Sequence, residues 1–363
     1  MAMKLTIVVP CYNESATIEK TVERSLAARL PEGWSREIIV VDDGSDEATK
    51  DVLKRVENKS GCTVIYRAQN GGKGAAVKDA LALARGDYVL IQDADDEYDP
   101  SDYERLVAPI VRGEAASVFG SRNLGNNNVP YSAMYFYGGL LVTYVFNAAF
   151  RTKFTDIATC YKVFPASLMP ALRASHHDDF VFDAVDVTLS CVRLGPVAEV
   201  PVSYMARTKK SGKKLNWVHG IEIVLAIMLA RFGVPPRHHK GVSKAIRFIV
   251  SGGTAAVVHL GMLYVLAEYA HIWYLISSGI AFILAFAVSF AMQKYWTFKN
   301  MDHAKARTQL PLHFIVAVFN LAFNSLLLYA LVEYVGFWYM TAQVVATVVI
   351  AVESFFLFRW IYR

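Results

Sequence analysis

From Phe248 to the C-terminus the sequence is almost continuously apolar, and this run constrains the fold more than any other feature. Phe248–Glu268, Tyr274–Gln293, Phe314–Leu331 and Met340–Leu357 are each about long enough to cross a bilayer as helices. The Lys and Arg residues of this half fall on one side of the predicted spans: Lys294, Lys299, Lys305, Arg307, Arg359 and Arg363. The opposite turns carry Glu268 and Glu333 and no basic residue. The positive-inside rule then predicts a multi-pass protein of the cytoplasmic membrane, with the N-terminal half, the middle loop and the C-terminus cytoplasmic. Trp273, Tyr274, Trp338 and Tyr339 mark the outer interface. Leu263-Tyr264-Val265-Leu266-Ala267-Glu268-Tyr269 recurs as Leu328-Tyr329-Ala330-Leu331-Val332-Glu333-Tyr334, each copy followed after three residues by Trp-Tyr. One helical hairpin is therefore present twice, the same way up, which implies a pseudo-two-fold along the membrane normal.

The remainder of the chain is different. Up to about Tyr204 it reads as a mixed soluble domain, although the 363 residues together are 54% hydrophobic. The net charge of +5 gives no case for nucleic acid; Lys and Arg gather between Arg207 and Arg247, which suggests a membrane surface. Asn216–Gly233 is apolar, short and flanked by basic residues, and predicts an interfacial helix. The expected organisation is a catalytic domain over 1–208, basic juxtamembrane helices over 209–244 and an all-α domain of four membrane helices over 245–363. Cys11, Cys62, Cys160 and Cys191 form no CxxC pair and fit reduced, cytosolic thiols. The apolar run Leu5–Val9 is short and meets a proline, so the N-terminus does not read as a signal peptide. His259, Asn320, Asn324 and Glu353 are polar residues inside the spans. Glu353 lies about 9 Å from Arg359 by helix rise. It is a functional candidate by its depth, set against interhelical packing or snorkelling.

In the N-terminal half, Leu5–Val9, Glu37–Val41, Thr63–Tyr66, Tyr88–Ile91 and Ser117–Phe119 are strand runs. Between them lie helical stretches, the first with Ile18, Val22 and Leu26 on one face. Strands alternating with helices predict βαβ units and a doubly wound, Rossmann-like parallel sheet. Ligands bind such sheets beyond the carboxyl ends of the strands. The turns Cys11–Glu14, Asp42–Ser45 and Asp93–Glu97 fall there and should converge on one crevice.

The third turn is the most charged. Asp93, Asp95, Asp96, Glu97 and Asp99 place five carboxylates within seven residues. Such crowding is tolerable mainly with a cation among the acids, and hard oxygen ligands suit Mg²⁺ or Mn²⁺; a solvated acidic turn closed by Pro100 is the alternative. Asp43 can accept ribose hydroxyls, Tyr12 can lie against a base, and Glu14 can bond its edge. Plain roles exist for each: Glu14 suits a helix N-terminus, and Asp43 a turn. The loop Asn70-Gly71-Gly72-Lys73-Gly74 can bring N–H groups and Lys73 to a phosphate, yet lacks the Walker and GxGxxG spacings.

Ile7-Val8-Val9-Pro10-Cys11-Tyr12-Asn13-Glu14, Val41-Asp42-Asp43-Gly44-Ser45, Asn70-Gly71-Gly72-Lys73-Gly74 and Asp93-Ala94-Asp95 resemble, in order and spacing, a family 2 glycosyltransferase of the GT-A fold. The resemblance implies a nucleotide-sugar donor and a divalent metal, Mg²⁺ or Mn²⁺. By it Pro10, Tyr12, Glu14 and Asp43 hold the nucleoside, with Lys73 and Ala94 among the nucleotide contacts. Asp93 and Asp95 handle the metal and diphosphate, and Glu97 completes the metal shell, although many relatives carry Gln there. Asp95 ranks first as a metal ligand and second as a general base.

Gly120-Ser121-Arg122, Thr155-Asp156-Ile157-Ala158-Thr159-Cys160-Tyr161-Lys162, Pro201–Thr208 and Gly212–Trp217 resemble the polyprenyl-phosphate branch of family 2. By that similarity Arg122 contacts the acceptor phosphate, and Arg207 and Lys214 close over diphosphate and acceptor. A solvated basic face remains an alternative for Lys209–Lys214. The branch often has a further arginine on the next helix, but Tyr131–Gly139 holds no basic residue; either Arg151, Lys153 or Lys162 substitutes, or the phosphate is held with less charge. With Tyr295-Trp296-Thr297-Phe298 the apolar half resembles the GtrA-like four-helix domain. The resemblance implies inverting hexose transfer from a nucleotide sugar, GDP-mannose or UDP-glucose, to a dolichyl or undecaprenyl phosphate. A lipid-linked-sugar translocator with a non-catalytic transferase half is the alternative. A processive polysaccharide synthase is disfavoured because Arg359-Trp360 has no Gln ahead of it. The oligomeric state is open, a homo-oligomer included.

Overall fold

The computed structural model describes residues 2–125, 133–206, 217–234, 236–298, 300–302, 304–337 and 339–362. It comprises two compact units, Met1–His239 and Lys240–Arg363.

In the first unit β1 (Met3–Cys11), α1 (Ile18–Ala27), β2 (Trp34–Asp42), α2 (Glu47–Glu57), β3 (Cys62–Tyr66), α3 (Lys73–Leu83) and β4 (Tyr88–Ile91) alternate. α4 (Tyr103–Val111), β5 (Ser117–Ser121), α5 (Ala133–Phe150), β6 (Lys162–Pro165), α6 (Met169–Arg173), α7 (Thr188–Leu194), β7 (Val197–Pro201) and α8 (Trp217–Arg231) follow. The seven strands lie in the order β3-β2-β1-β4-β6-β5-β7. β1 is central and buried on both faces from Leu5 to Val9, which is why its sequence is a continuous apolar run rather than an alternating one. α1 buries Ile18 and Val22, with Leu26 packed at the margin of the same core. α2 is started by Asp46, whose carboxylate accepts the Thr49 N–H.

One strand breaks the expected parallel pattern. β6 pairs antiparallel with both β4 and β5, with Leu90 and Val118 both opposite Val163. The sheet is therefore mixed. A four-residue strand between a loop and a helical turn leaves almost no alternation to read.

α5 and α8 pack together, joining Val142, Phe146, Ile223, Ala226 and Ile227 to Val181 and Val185 in a second apolar core. The predicted interfacial helix is thus also a packed wall of this unit. α5 leaves Met134, Tyr137, Leu141 and Tyr144 exposed.

The second unit is helical: α9 (Pro236–Tyr264, beginning in the first unit), α10 (Tyr274–Ala291), α11 (Ala306–Glu333) and α12 (Tyr339–Ile361). Among the described residues, Ala133–Phe150, Lys244–Tyr264 and Ile280–Thr297 are long and apolar enough to cross a membrane by length and composition. The sequence repeat has a counterpart in geometry. Tyr264 and Tyr269 pair edge to face at 5.9 Å, and their repeat equivalents Tyr329 and Tyr334 do so at 6.0 Å. Of the polar residues in the spans, Asn320 donates to Ser354 Oγ at 2.7 Å, and Ser354 donates to Glu353 at 3.3 Å.

Candidate active site

β1 lies between β2 and β4, so the chain leaves β1 and β4 in a crevice at the carboxyl edge of the sheet. A cavity of about 880 Å³ opens there. Pro10, Tyr12, Glu14, Asp43, Lys73, Asp93, Ala94, Asp95, Glu97, Arg122 and Lys162 all line it. Arg207 and Lys214 lie outside the described residues. Met134, Leu141, Val142, Ile221, Ile223 and Val224, from α5 and α8, add an apolar part to the same lining.

The first two turns are laced together. Asn13 N–H donates to Ser45 Oγ at 2.9 Å, and Asp46 N–H to Asn13 Oδ1 at 2.8 Å. Asp43 is buried and accepts from Arg67, from Gly71 N–H at 2.9 Å and from Gly72 N–H at 2.8 Å. This revises the role of the glycine loop: two of its N–H groups serve Asp43 rather than standing ready for a phosphate. Its glycines answer to packing. Gly72 sits at φ +95°, and a Cβ there would meet the Asp178 carbonyl oxygen at 2.4 Å. A Cβ on Gly74 would meet Phe182 Cβ at 2.6 Å.

The five carboxylates are separated from one another by different partners. Asp93 pairs with Lys73 at 2.8 Å. Asp95 accepts the Glu97 N–H at 3.1 Å. Asp96 pairs with Lys20 and Arg24, and Asp99 with Arg24, so α1 neutralises the two acids that do not line the cavity. Glu97 accepts the Tyr204 hydroxyl at 2.6 Å. Among the described residues no three acids, histidines or cysteines converge on one point. Glu97, expected as the third carboxylate of the metal shell, is thus engaged by Tyr204. Asp93 and Asp95 still present hard oxygens to one cavity, and two carboxylates completed by phosphate oxygens are an ordinary donor set for Mg²⁺ or Mn²⁺. The residues fit such an ion.

Basic groups complete the floor. Arg122 is held by Asp156 and lies 5.1 Å over the Tyr204 ring. Burial works against its charge, but Asp156 more than offsets this and holds it well above the ordinary arginine range. Burial likewise opposes the Lys73 ammonium, and Asp183 with Asp93 keeps it charged. Burial pushes the Cys160 thiol up, with Asp93 beside it, so it stays protonated. Of Arg151, Lys153 and Lys162, only Lys162 lines the cavity. Its Nζ is wholly buried and donates to Thr159 O, Asp183 O and Asp183 Oδ1 at 2.9, 3.0 and 2.9 Å. All three ammonium donors are thus engaged within the protein. The sequence carries no local signal for Asp156, Asp183 and Tyr204, because their partners lie 34, 110 and 107 residues away.

Residues 6–164 match the family described as Glycosyl transferase family 2. Residues 247–362 match GtrA/DPMS, transmembrane domain. The chain joins a family 2 glycosyl transferase domain to a GtrA/DPMS transmembrane domain. Across both domains it is 24% identical over 354 residues to a dolichol-phosphate mannosyltransferase of Pyrococcus furiosus, covering 95% of each chain. It is 27% identical over 253 residues to a dolichyl-phosphate beta-glucosyltransferase of Dictyostelium discoideum, covering 63% of this chain and 74% of the relative. The transferase domain shares its fold with glucosyl-3-phosphoglycerate synthase from Mycobacterium tuberculosis in its complex with UDP. That likeness has a TM-score of 0.50 and 21% identity, over 64% of this chain and 81% of the other.

Proposed function

We propose that the protein transfers a hexose from a nucleotide sugar to a polyprenyl phosphate, with inversion, making a lipid-linked sugar at the cytoplasmic face of the membrane. The observation that carries this reading is the make-up of the cavity: charged residues from the sheet edge and apolar residues of α5 and α8 line the same space. A sugar nucleotide needs the first, and an acceptor that is both phosphate and hydrocarbon needs the two together. The relatives named for dolichol-phosphate mannose and dolichyl-phosphate glucose support the acceptor class.

Pro10, Tyr12, Glu14 and Asp43 take the nucleoside. Asp93 and Asp95 take the diphosphate, together with Mg²⁺ or Mn²⁺, which when bound neutralises charge developing on the leaving diphosphate. Arg122, kept cationic by Asp156, takes the acceptor phosphate. Arg207 and Lys214 are assigned to the closing basic stretch. A phosphate monoester, with a second pKa of about 6, is already anionic near neutral pH. One of its oxygens attacks the anomeric carbon as the bond to the diphosphate oxygen breaks, so no strong general base is required. Lys73 and Arg122 supply positive charge around the reacting phosphates, the electrostatic form of catalysis.

The test is release of nucleoside diphosphate by full-length protein in detergent, from GDP-mannose and UDP-glucose in turn, with Mn²⁺. Release that depends on added polyprenyl phosphate is expected. Its absence with every donor and acceptor pair would overturn the reading in favour of a binding or translocating role.

A further inference from the structure

Asp183 stands on the π-helical stretch Phe182–Val187 of the transferase domain and is buried in the lining of the cavity. It takes two lysines at once. Lys162 donates to Oδ1 at 2.9 Å, and Lys73 to Oδ2 at 2.8 Å. Lys73 also reaches Asp93 Oδ1 at 2.8 Å. One carboxylate is thus connected through one ammonium to the acid at the end of β4. Asp93, Asp183, Lys73 and Lys162 together form a charge-balanced set.

The backbone fixes this set in place. Ala75 N–H donates to the Asp178 carbonyl at 3.1 Å, and Lys78 Nζ donates to Ser175 O and Asp178 Oδ1 at 2.8 Å each. With Gly72 and Gly74 pressed against Asp178 and Phe182, the start of α3 and the π-helical turn are one rigid seam. Lys162 cannot turn away, because its three donors are engaged. Lys73 can release Asp93 and stay anchored on Asp183.

We propose that Asp183 is a positioning residue that holds Lys73 on Asp93 as a resident cation, one that yields Asp93 to a divalent metal and turns to the donor's diphosphate. The proposal rests on the donor-site reading given above. Its logic is electrostatic: an ammonium and a dication at one carboxylate repel, and a diphosphate arriving with the metal offers the displaced ammonium a new anion.

Two measurements on full-length protein in detergent test it: Mn²⁺ affinity without nucleotide, from the spin resonance of free Mn²⁺, and GDP and UDP affinity with Mn²⁺, by calorimetry. Lys73→Met should tighten Mn²⁺ alone and weaken the nucleoside diphosphate, each by about tenfold, the worth of one charge-assisted contact. The double variant Asp183→Leu with Lys162→Met removes the buried pair together, so neither charge is orphaned. It should weaken Mn²⁺ alone by a few fold, because Asp93 is then the one carboxylate left to Lys73, and should also weaken the nucleoside diphosphate. Opposite signs for Mn²⁺ from two substitutions in one cluster are not what a general loss of fold produces. Unchanged Mn²⁺ affinity in Lys73→Met, or shifts of the same sign in both variants, would overturn the proposal. Wild-type protein that binds neither GDP nor UDP would instead overturn the donor-site reading itself.

Discussion

The carboxylate of Asp156 grips the edge of the Arg122 guanidinium, with Nε at 2.7 Å and Nη2 at 2.8 Å. Asp156 is itself set by Glu199, which accepts the Thr155 and Asp156 N–H groups at 2.8 and 3.0 Å. Such a bidentate pair fixes the plane of the arginine as well as its charge. Asp156→Asn should raise KM for polyprenyl phosphate by about tenfold, the loss of one charge-assisted contact, with KM for the sugar nucleotide little changed. Initial rates with each substrate varied in turn check this.

The separation of the acidic turn predicts unequal roles for neighbouring acids. Asp93→Asn and Asp95→Asn should each abolish measurable nucleoside diphosphate release. Asp96→Asn should leave release intact and cost stability by only about 0–1 kcal/mol, because its pairs with Lys20 and Arg24 are partly exposed. Rates and thermal unfolding in detergent distinguish the two classes.

Gly72→Ala puts a Cβ against a carbonyl at a positive φ, so strain and clash act together. A destabilisation of about 2 kcal/mol or more is expected, with a raised KM for the sugar nucleotide because the loop carries Lys73 and serves Asp43. A variant that unfolds with the wild type would contradict this.

Removal of divalent metal by a chelator should stop nucleoside diphosphate release, and Mn²⁺ should restore it, while the secondary structure seen by circular dichroism stays unchanged. Loss of structure on chelation would argue for a metal that holds the fold rather than the diphosphate.

Glu37 gives a pH signature distant from the cavity. It accepts from Lys4 and Thr6 at 2.5 Å each and from the Arg85 N–H at 2.7 Å. Burial raises its pKa, but these donors prevail and leave it below the ordinary glutamate value of 4.5. The stability it contributes is present above 4.5 and is lost as pH falls through the lower folded value. Glu37→Gln should therefore flatten the stability profile between 4.5 and that lower value, read as melting temperature against pH.

What the sequence made legible was whatever depends on near neighbours. The central strands show as apolar runs because they are buried on both faces. The three polar turns fall together because a doubly wound sheet leaves them no other place. The burial of Lys162 is not legible locally, because it depends on Asp183, on an irregular helical turn with no signature of its own. The glycine loop suggested a phosphate cradle, yet its shape answers to Asp43 and Asp178, far along the chain in both directions. Arg122 was picked out by its motif, whereas Asp156 lay within a quoted segment without an evident task. Long-range pairing decides these cases, and local spacing does not encode it.

The reversed direction of β6 has a consequence for how the cavity is supplied. Parallel neighbours deliver residues to this edge of the sheet only as the chain departs from them, after each strand is complete. An antiparallel strand begins where they end. The segment that arrives at β6 therefore reaches the crevice before entering the sheet, and on its way in brings Cys160 and Lys162 to the lining and Asp156 to Arg122. One inverted strand thus adds an inbound stretch of chain to a site otherwise furnished by outbound loops, and from that stretch comes the carboxylate that orients Arg122.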